Sequence, residues 1–278
     1  MQSTRRYRFA GSFYPMQKSA LAAFVSKAVN ESQVDKRTAK ALAYQVPHAG
    51  YMYSGRIAAH AYKALSMNPR LDKIETVILI GPNHTGYGKP IAVSGKDWET
   101  PLGVAKNDIE LSESIADGKF AFVDDEAHAD EHSLEVQLPF LQHIIDSKNI
   151  KYSFICMGDQ SLDASIKLSK LIEKALSETG RSAIVIASSD LNHYEPASIA
   201  AKKDSKIIEA MSKLDYVGLN KLIDELNISA CGYGPISVAI MHALSNGAHD
   251  GVMLAYGNSG STTGDFDSVV EYSAFAFV

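Results

Sequence analysis

The sequence predicts an α/β fold: a single domain with a mostly parallel or mixed central sheet flanked by helices. Short continuous apolar runs such as residues 183–187 have the character of strands buried on both faces of a mainly parallel sheet. These runs alternate with segments of helical period, the order of βαβ units. The runs also end abruptly in polar, titratable residues, and open α/β sheets place their sites at the carboxyl ends of strands.

Taken in order, residues 11–15 form a turn-rich opening. The spacing of Leu21, Phe24, Val25 and Ala28 predicts a helix over 16–29. Residues 42–46 read as the first core strand. Ser54 is a favoured N-cap for an alanine-rich helix running to about residue 65. A second strand over 73–80 leads into a turn punctuated by Gly81, Gly86 and Gly88, and 91–93 is a short strand. After the loop 99–103 come a helix near 108–116 and a strand at 120–123. A polar stretch, 124–131, precedes a helix from about 133 to 145, which Pro139 is expected to kink or divide. Strand 152–157, helix 162–176 and strand 183–187 follow, then helices near 198–211 and 217–226. The glycine-rich turn 228–235 opens a helix over 236–244. Segments 252–256 and 268–278 end the chain as strands, able to add antiparallel members to the sheet.

With 278 residues the chain is ample for one large α/β domain spanning 1–278, and no repeat, low-complexity segment or linker divides it. Its 46% hydrophobic and 21% charged residues are ordinary for a globular protein, and a net charge of −5 gives no reason to expect nucleic acid or an acidic membrane as partner. No apolar run approaches the roughly 18 residues of a membrane span. The N-terminus is basic without an apolar core, so no signal peptide is read, and two cysteines make no disulfide framework. These features predict a cytoplasmic protein.

Chemistry concentrates at strand ends. His48 follows the first core strand in Pro47-His48-Ala49-Gly50, His84 follows the second in Pro82-Asn83-His84, and His193 follows 183–187 in Asp190-Leu191-Asn192-His193. Neutral imidazole is the commonest ligand of zinc, copper and iron. One such histidine alone reads more often as a hydrogen-bonded loop residue; three at strand ends reverse that balance. Cys231, between small residues and just before a helix, reads as a metal ligand, as a thiol made reactive by the helix N-terminus, or as a small buried hydrophobe. Cys156, inside a strand pattern, reads as core. Asp190 and His193 resemble an acid–imidazole pair in which Asp190 orients the ring and His193 serves as general base; otherwise Asp190 caps a turn and His193 is merely exposed. In the segment 128–135, His132 and Glu135 are candidate cleft residues and His128 reads as a surface histidine. His60, His143, His242 and His249 read as structural or solvated. P-loop, G-x-G-x-x-G and G-x-S-x-G signatures are absent, which removes support for nucleotide binding and serine-hydrolase chemistry.

Six segments, in order along nearly the whole chain, resemble the Memo family: 46–51 (VPHAGY), 81–84 (GPNH), 100–103 (TPLG), 131–135 (EHSLE), 188–194 (SSDLNHY) and Cys231-Gly232. The resemblance implies a fold similar to the class III extradiol (LigB-type) dioxygenases, non-haem iron enzymes with two histidines and a glutamate as ligands and a further histidine as acid/base. Carried over by motif, His48 and His84 become metal ligands and His193 the acid/base residue beside Asp190. Cys231 falls where the carboxylate ligand would be. A thiolate is softer than a carboxylate and shifts preference towards copper or zinc as well as iron, so ring cleavage does not carry over. Tyr51 and Asn83, within the motifs, are further cleft candidates. The resemblance also implies an unknown small-molecule or peptide substrate and a functional link to a radical-SAM protein.

Three functions follow as expectations. The first is a metal-dependent redox or oxygenase-like enzyme with iron or copper on His48, His84 and Cys231. The second is a binding module holding a phosphorylated or acidic peptide in the same cleft, and the third is a zinc hydrolase.

Overall fold

The computed structural model describes residues 3–145 and 149–278. In chain order the elements are β1 (Thr4–Arg5), α1 (Lys18–Glu31), β2 (Ala43–Val46), α2 (Gly55–Ser66), β3 (Thr76–Pro82), β4 (Ile91–Val93), β5 (Asp97–Thr100), β6 (Gly103–Ala105), α3 (Ile109–Ile115), β7 (Phe122–Val123) and α4 (Glu126–Ala129). Then come α5 (Leu138–Ile145), β8 (Lys151–Met157), α6 (Leu162–Thr179), β9 (Ala183–Ser188), β10 (His193–Glu195), α7 (Ala197–Ser212), α8 (Tyr216–Leu226), α9 (Tyr233–Ser245), β11 (Gly251–Asn258), α10 (Gly260–Thr263) and β12 (Val269–Phe277).

The main sheet is mixed, in the order β10-β12-β2-β9-β3-β8-β4-β7, with β11 on the other side of β12. Its centre, β2-β9-β3-β8, is parallel, and β12 and β4 flank it antiparallel. Because side chains alternate along a strand, Val77 and Leu79 of β3 join the core under α1, α2 and α5. Ile78 and Ile80 join the core under α6, α7 and α9. Both faces are covered, which is why β3 and β9 read as unbroken apolar runs rather than alternating ones. The β-rich ending supplies the antiparallel strands, as its pattern predicts.

Local chemistry sets most boundaries. Helix α6 starts where Ser161 accepts a hydrogen bond from Ala164 N and stops at Gly180, whose φ of 67° is left-handed. The helix expected over 133–145 is divided: a 3-10 turn over Glu135–Gln137 precedes α5, and Pro139 falls in the first turn of α5, where its missing N–H costs nothing. Ser54 stands at the N-cap of α2 but does not cap it; its hydroxyl donates to Ala49 O instead. No helix among the described residues is long and apolar enough to cross a membrane.

A small sheet, β1-β5-β6, lies beside the main one and ties down the N-terminal arm. Arg5 is its anchor. The guanidinium lies 4.1 Å from the Trp98 ring centroid, donates to His128 O and Glu131 O, and pairs with Glu135 at 2.6 Å, with both side chains buried. Glu135 also accepts from Tyr14 Oη and from the N–H groups of Arg8 and Phe9. Removing one partner leaves an uncompensated buried charge. Arg5→Met should therefore lower the unfolding free energy by about 3 kcal/mol in a denaturant titration; a change within about 0.5 kcal/mol, the size of an ordinary surface substitution, would show that the pair carries no such constraint.

Candidate metal centre

Strands β2, β9 and β3 are neighbours and parallel, so their carboxyl ends open on one edge of the sheet. His48 stands two residues past the end of β2 and His84 two residues past the end of β3. The segment 131–134 crosses β3 so closely that a Cβ on Gly81 would lie 2.6 Å from Ser133 Oγ, and it brings in His132. The His48 ring meets His84 and His132 edge-on at 5.2 and 5.3 Å, while His84 and His132 stack at 4.7 Å. One nitrogen from each ring lies within 4.8 Å of the others, a spacing at which the three could hold a metal ion.

The hydrogen bonds determine which nitrogens are free. Ser188 Oγ donates to Ser133 O and accepts from Gln137 Nε2, so its contact with His48 Nδ1 at 2.9 Å requires the ring to be the donor. The Gln137 amide is itself oriented by Tyr62 Oη, which donates to Oε1, and by Pro47 O, which accepts from Nε2. His84 Nδ1 lies 2.9 Å from Glu131 Oε1, an acceptor only, so it too carries the proton. Nδ1 of each ring is thus engaged as a donor, which leaves Nε2 as the nitrogen that His48 and His84 keep for a ligand. Glu131 is buried, and against the upward pull of burial its hydrogen bond from His84, the neighbouring His84 and His132, and the Ser133 N–H hold its carboxyl down at about 2. His132 Nδ1 is 3.4 Å from the same oxygen. Burial, reinforced by the adjacent rings, drives His48 well below the ordinary histidine range and His132 down to about 3. Two imidazoles held neutral by burial, His48 and His132, beside a fixed carboxylate suit a cation.

Cys231, in the turn before α9, reaches the cluster from the side, with Sγ 3.1 Å from His48 Nε2. Asp190 N donates to Sγ, and Gln160 holds the turn through Cys231 O and Gly234 N. Burial and the nearby Asp190 charge push the thiol up, so the thiolate expected from a helix N-terminus is not what the free side chain is.

His193 stands at the rim, half-buried, in β10. Its Nδ1 lies 3.0 Å from Ser229 O, a carbonyl that can only accept, which again leaves Nε2 free. Ser229 is thus the orienting partner expected of Asp190. Asp190 instead accepts from the backbone N–H of His48 at 2.7 Å and from that of Ala49, bracing the loop that carries the first histidine; burial raises its carboxyl.

A family model described as Memo-like protein matches residues 5–276. The MEMO1 family protein of Methanosarcina barkeri is 41% identical over 270 residues, covering 97% of this chain and 98% of its own. That of Pyrobaculum aerophilum is 41% identical with 98% of both chains covered, and that of Sulfolobus acidocaldarius 43% identical over 84% of this chain and 81% of its own. The chain belongs to the Memo family. A solved structure of an uncharacterized Escherichia coli K12 protein superposes with a TM-score of 0.49 and 13% identity, covering 84% of this chain and 98% of that one.

The Memo-family fold leaves other candidates outside the cluster. Glu135 is consumed by Arg5 and the N-terminal arm. Tyr51 is core, its hydroxyl donating to Val136 O. Asn83 braces its own turn, accepting from the N–H groups of Thr85 and Gly86 and donating to Tyr87 O. His128, expected on the surface, is fully buried against Trp98 with Nε2 on Ala92 O. His242 is buried and paired with Glu173, while His143 and His249 are exposed. The motifs contain Glu131 and Ser188 without marking them as partners of the histidine rings; only the adjacency of Glu131 to His132 hints at it. Gln137, Asn192 and Ser229 carry no local signal.

Gly232 packs against β9, where an added Cβ would lie 2.5 Å from Ser188 O and 2.7 Å from Ser189 Cβ. Gly232→Ala should push the Cys231 turn outward, destabilise the fold by about 2 kcal/mol and speed alkylation of Cys231, while Cys156, fully buried in β8, stays unreactive. Unchanged alkylation would show that the close approach does not hold the thiol in place.

His128 also gives a pH dependence. Burial, with the neighbouring Arg5 charge, lowers it from 6.5 to about 4. The unfolded chain therefore binds a proton that the folded chain does not. Its contribution to stability is full above pH 6.5 and falls by about 3 kcal/mol as pH drops to about 4. Denaturant titrations of His128→Gln across this range should show a slope shallower by one proton; an identical slope would mean that His128 titrates normally.

Proposed function

We propose that this protein is a metal-dependent redox or oxygenase-like enzyme whose ion is held by His48, His84 and His132, with Cys231 as a further ligand. The observation that carries it is the convergence of three imidazoles, with the Nδ1 atoms of His48 and His84 tied to Ser188 and Glu131 and the Cys231 sulfur beside His48 Nε2. Nitrogen donors beside a sulfur favour iron, copper or zinc over magnesium or calcium. Iron or copper, when bound, would supply one-electron chemistry. Around it, Glu131 orients His84 and contributes negative charge, Ser188 orients His48, and Asp190 braces the His48 loop. His193, with Nε2 free at the solvent side, takes and returns protons. A thiol that binds a metal gives up its proton, so Cys231 would bind as thiolate despite the upward push on the free group.

Recognition of a phosphorylated or acidic peptide by these histidines has less support. His48 and His132, held neutral by burial, carry no positive charge to offer an anion, whereas neutrality is what a ligand needs. A zinc hydrolase shares the donor set and is separated by which metal restores activity.

Elemental analysis of anaerobically purified protein should find near-stoichiometric iron or copper. His48→Ala, His84→Ala and His132→Ala should lose most of it, and Glu131→Gln should weaken affinity by about 10- to 100-fold. Wild-type protein that takes up neither iron, copper nor zinc on reconstitution would overturn the proposal.

A further inference from the structure

Two buried side-chain oxygens without a hydrogen-bond partner among the described residues, Asp204 Oδ1 and Asn258 Oδ1, belong to the seam where α7 crosses β11 and β12. Asn258 and Glu271 are cross-strand partners, with Asn258 Nδ2 donating to Glu271 Oε1 at 3.1 Å. Asp204, on α7, and Glu271, on β12, are both fully buried. The other charged or titratable groups acting on this seam are Glu195, Lys203 and Tyr256, whose hydroxyl hydrogen-bonds the Glu271 carboxyl and leaves Asp204 Oδ1 as the acid oxygen with no donor beside it. Lys203, the one cation among them, is committed to Glu195 at 2.6 Å and to Asn227 O. Two buried carboxylates without a cation cannot both stay ionised, and orphaned acceptors call for a donor.

Asp204 reaches Asn192 with its carboxyl, whereas Glu271 meets it only through the main chain. Asn192 N points at Asp204 Oδ2 at 3.5 Å, while Asn192 O accepts from Glu271 N, and Leu191 N donates to Glu271 O. The Asn192 side chain donates to Glu195 and accepts from Ser229 N and Oγ, so every polar atom of Asn192 is engaged. Ser229 in turn holds both His193 N and His193 Nδ1.

We propose that Asp204 and Glu271 share one proton at neutral pH and that Asp204, in that state, is a positioning residue for His193, acting through Asn192 and Ser229. One proton removes one of the two charges and supplies a donor to the orphaned oxygens. Burial and the Glu271 charge push Asp204 up to about 8, and burial raises Glu271, in keeping with a proton retained there. A folded-state value above the unfolded one means the shared proton stabilises the fold at low pH and its benefit is lost as pH rises through about 8. The functional part of the proposal rests on His193 being the proton-transfer residue; the shared proton and the positioning do not.

The test combines infrared and NMR spectroscopy of the full chain with metal analysis. Wild type at neutral pH should show a protonated-carboxyl carbonyl band that Asp204→Asn lacks. Asp204→Asn, which keeps a donor, should preserve the His193 ring signals. Asp204→Leu, and wild type above about pH 8, should release them, with amide exchange at Asn192 and His193 faster by about tenfold. Should Asp204→Leu fail to fold, the wild-type pH series decides alone. Absence of the carboxyl band, His193 signals indifferent to Asp204 and to pH, or calcium or magnesium uptake that Asp204→Asn abolishes would each overturn the proposal. Failure of the metal-centre reading would show separately, as wild type unable to take up iron, copper or zinc.

Discussion

A carboxylate that has lost its water needs compensation from donors that stay in place, and Glu131 finds them in the segments that build the site. His84 supplies its backbone N–H and ring N–H, Ser133 its N–H, and Arg5 grips the Glu131 carbonyl from the N-terminal arm. One turn later Glu135, equally buried, takes the Arg5 guanidinium. The segment between the two acids is thus pinned at both ends by buried charge, and His132 lies within it. Breaking either anchor would leave a desolvated charge unpaired, a larger penalty than losing one neutral hydrogen bond. That constraint makes the relative placement of His84 and His132 a property of the fold rather than of loop flexibility.

The fold was legible where one physical rule governs a long segment. Strands β3 and β9 are covered on both faces, so their sequences are uninterrupted apolar runs, and α6 combines helical period with a serine cap and a terminal glycine. Elements with no period of their own were not legible. Strands β1 and β6 are two and three residues long. Strand β10 consists of His193, Tyr194 and Glu195 and exists because β12 pairs with it. Ser54 shows how tertiary competition overrides a local preference, since its hydroxyl found Ala49 O before it could cap α2.

The site was legible in the same uneven way. His48 and His84 are marked by their position past buried strands, a regularity of α/β architecture that needs no contact information. Glu131 and Glu135, four residues apart in one motif, look alike in sequence, yet one faces the histidines and the other the N-terminal arm. Only the long-range partner Arg5, 130 residues away from Glu135, distinguishes them. The orienting network of Ser188, Gln137 and Ser133 is likewise assembled from distant segments, and small polar residues in a loop carry no mark of it. His128 is misplaced for a related reason: a polar neighbourhood in sequence is buried when Trp98 and Arg5, both distant in sequence, pack over it.

The placement of these groups divides the labour between floor and rim. His48 is 2% exposed and sits at the end of a core strand, its ring orientation enforced by Ser188. A side chain there is set by the sheet and cannot follow solvent. The His193 ring is held by the Ser229 carbonyl and is half-exposed, where a proton can be exchanged with water or with a bound molecule. Cys231 lies between these extremes, fixed by the close approach of Gly232 to β9 yet only partly buried. If the thiol were as deeply enclosed as Cys156, inside a strand with no exposed surface, no ion could reach the sulfur. If it were as open as His193, nothing would hold the sulfur 3.1 Å from His48. The glycine therefore matters as much as the cysteine: it sets how near the softest donor can come to an otherwise nitrogen-lined site.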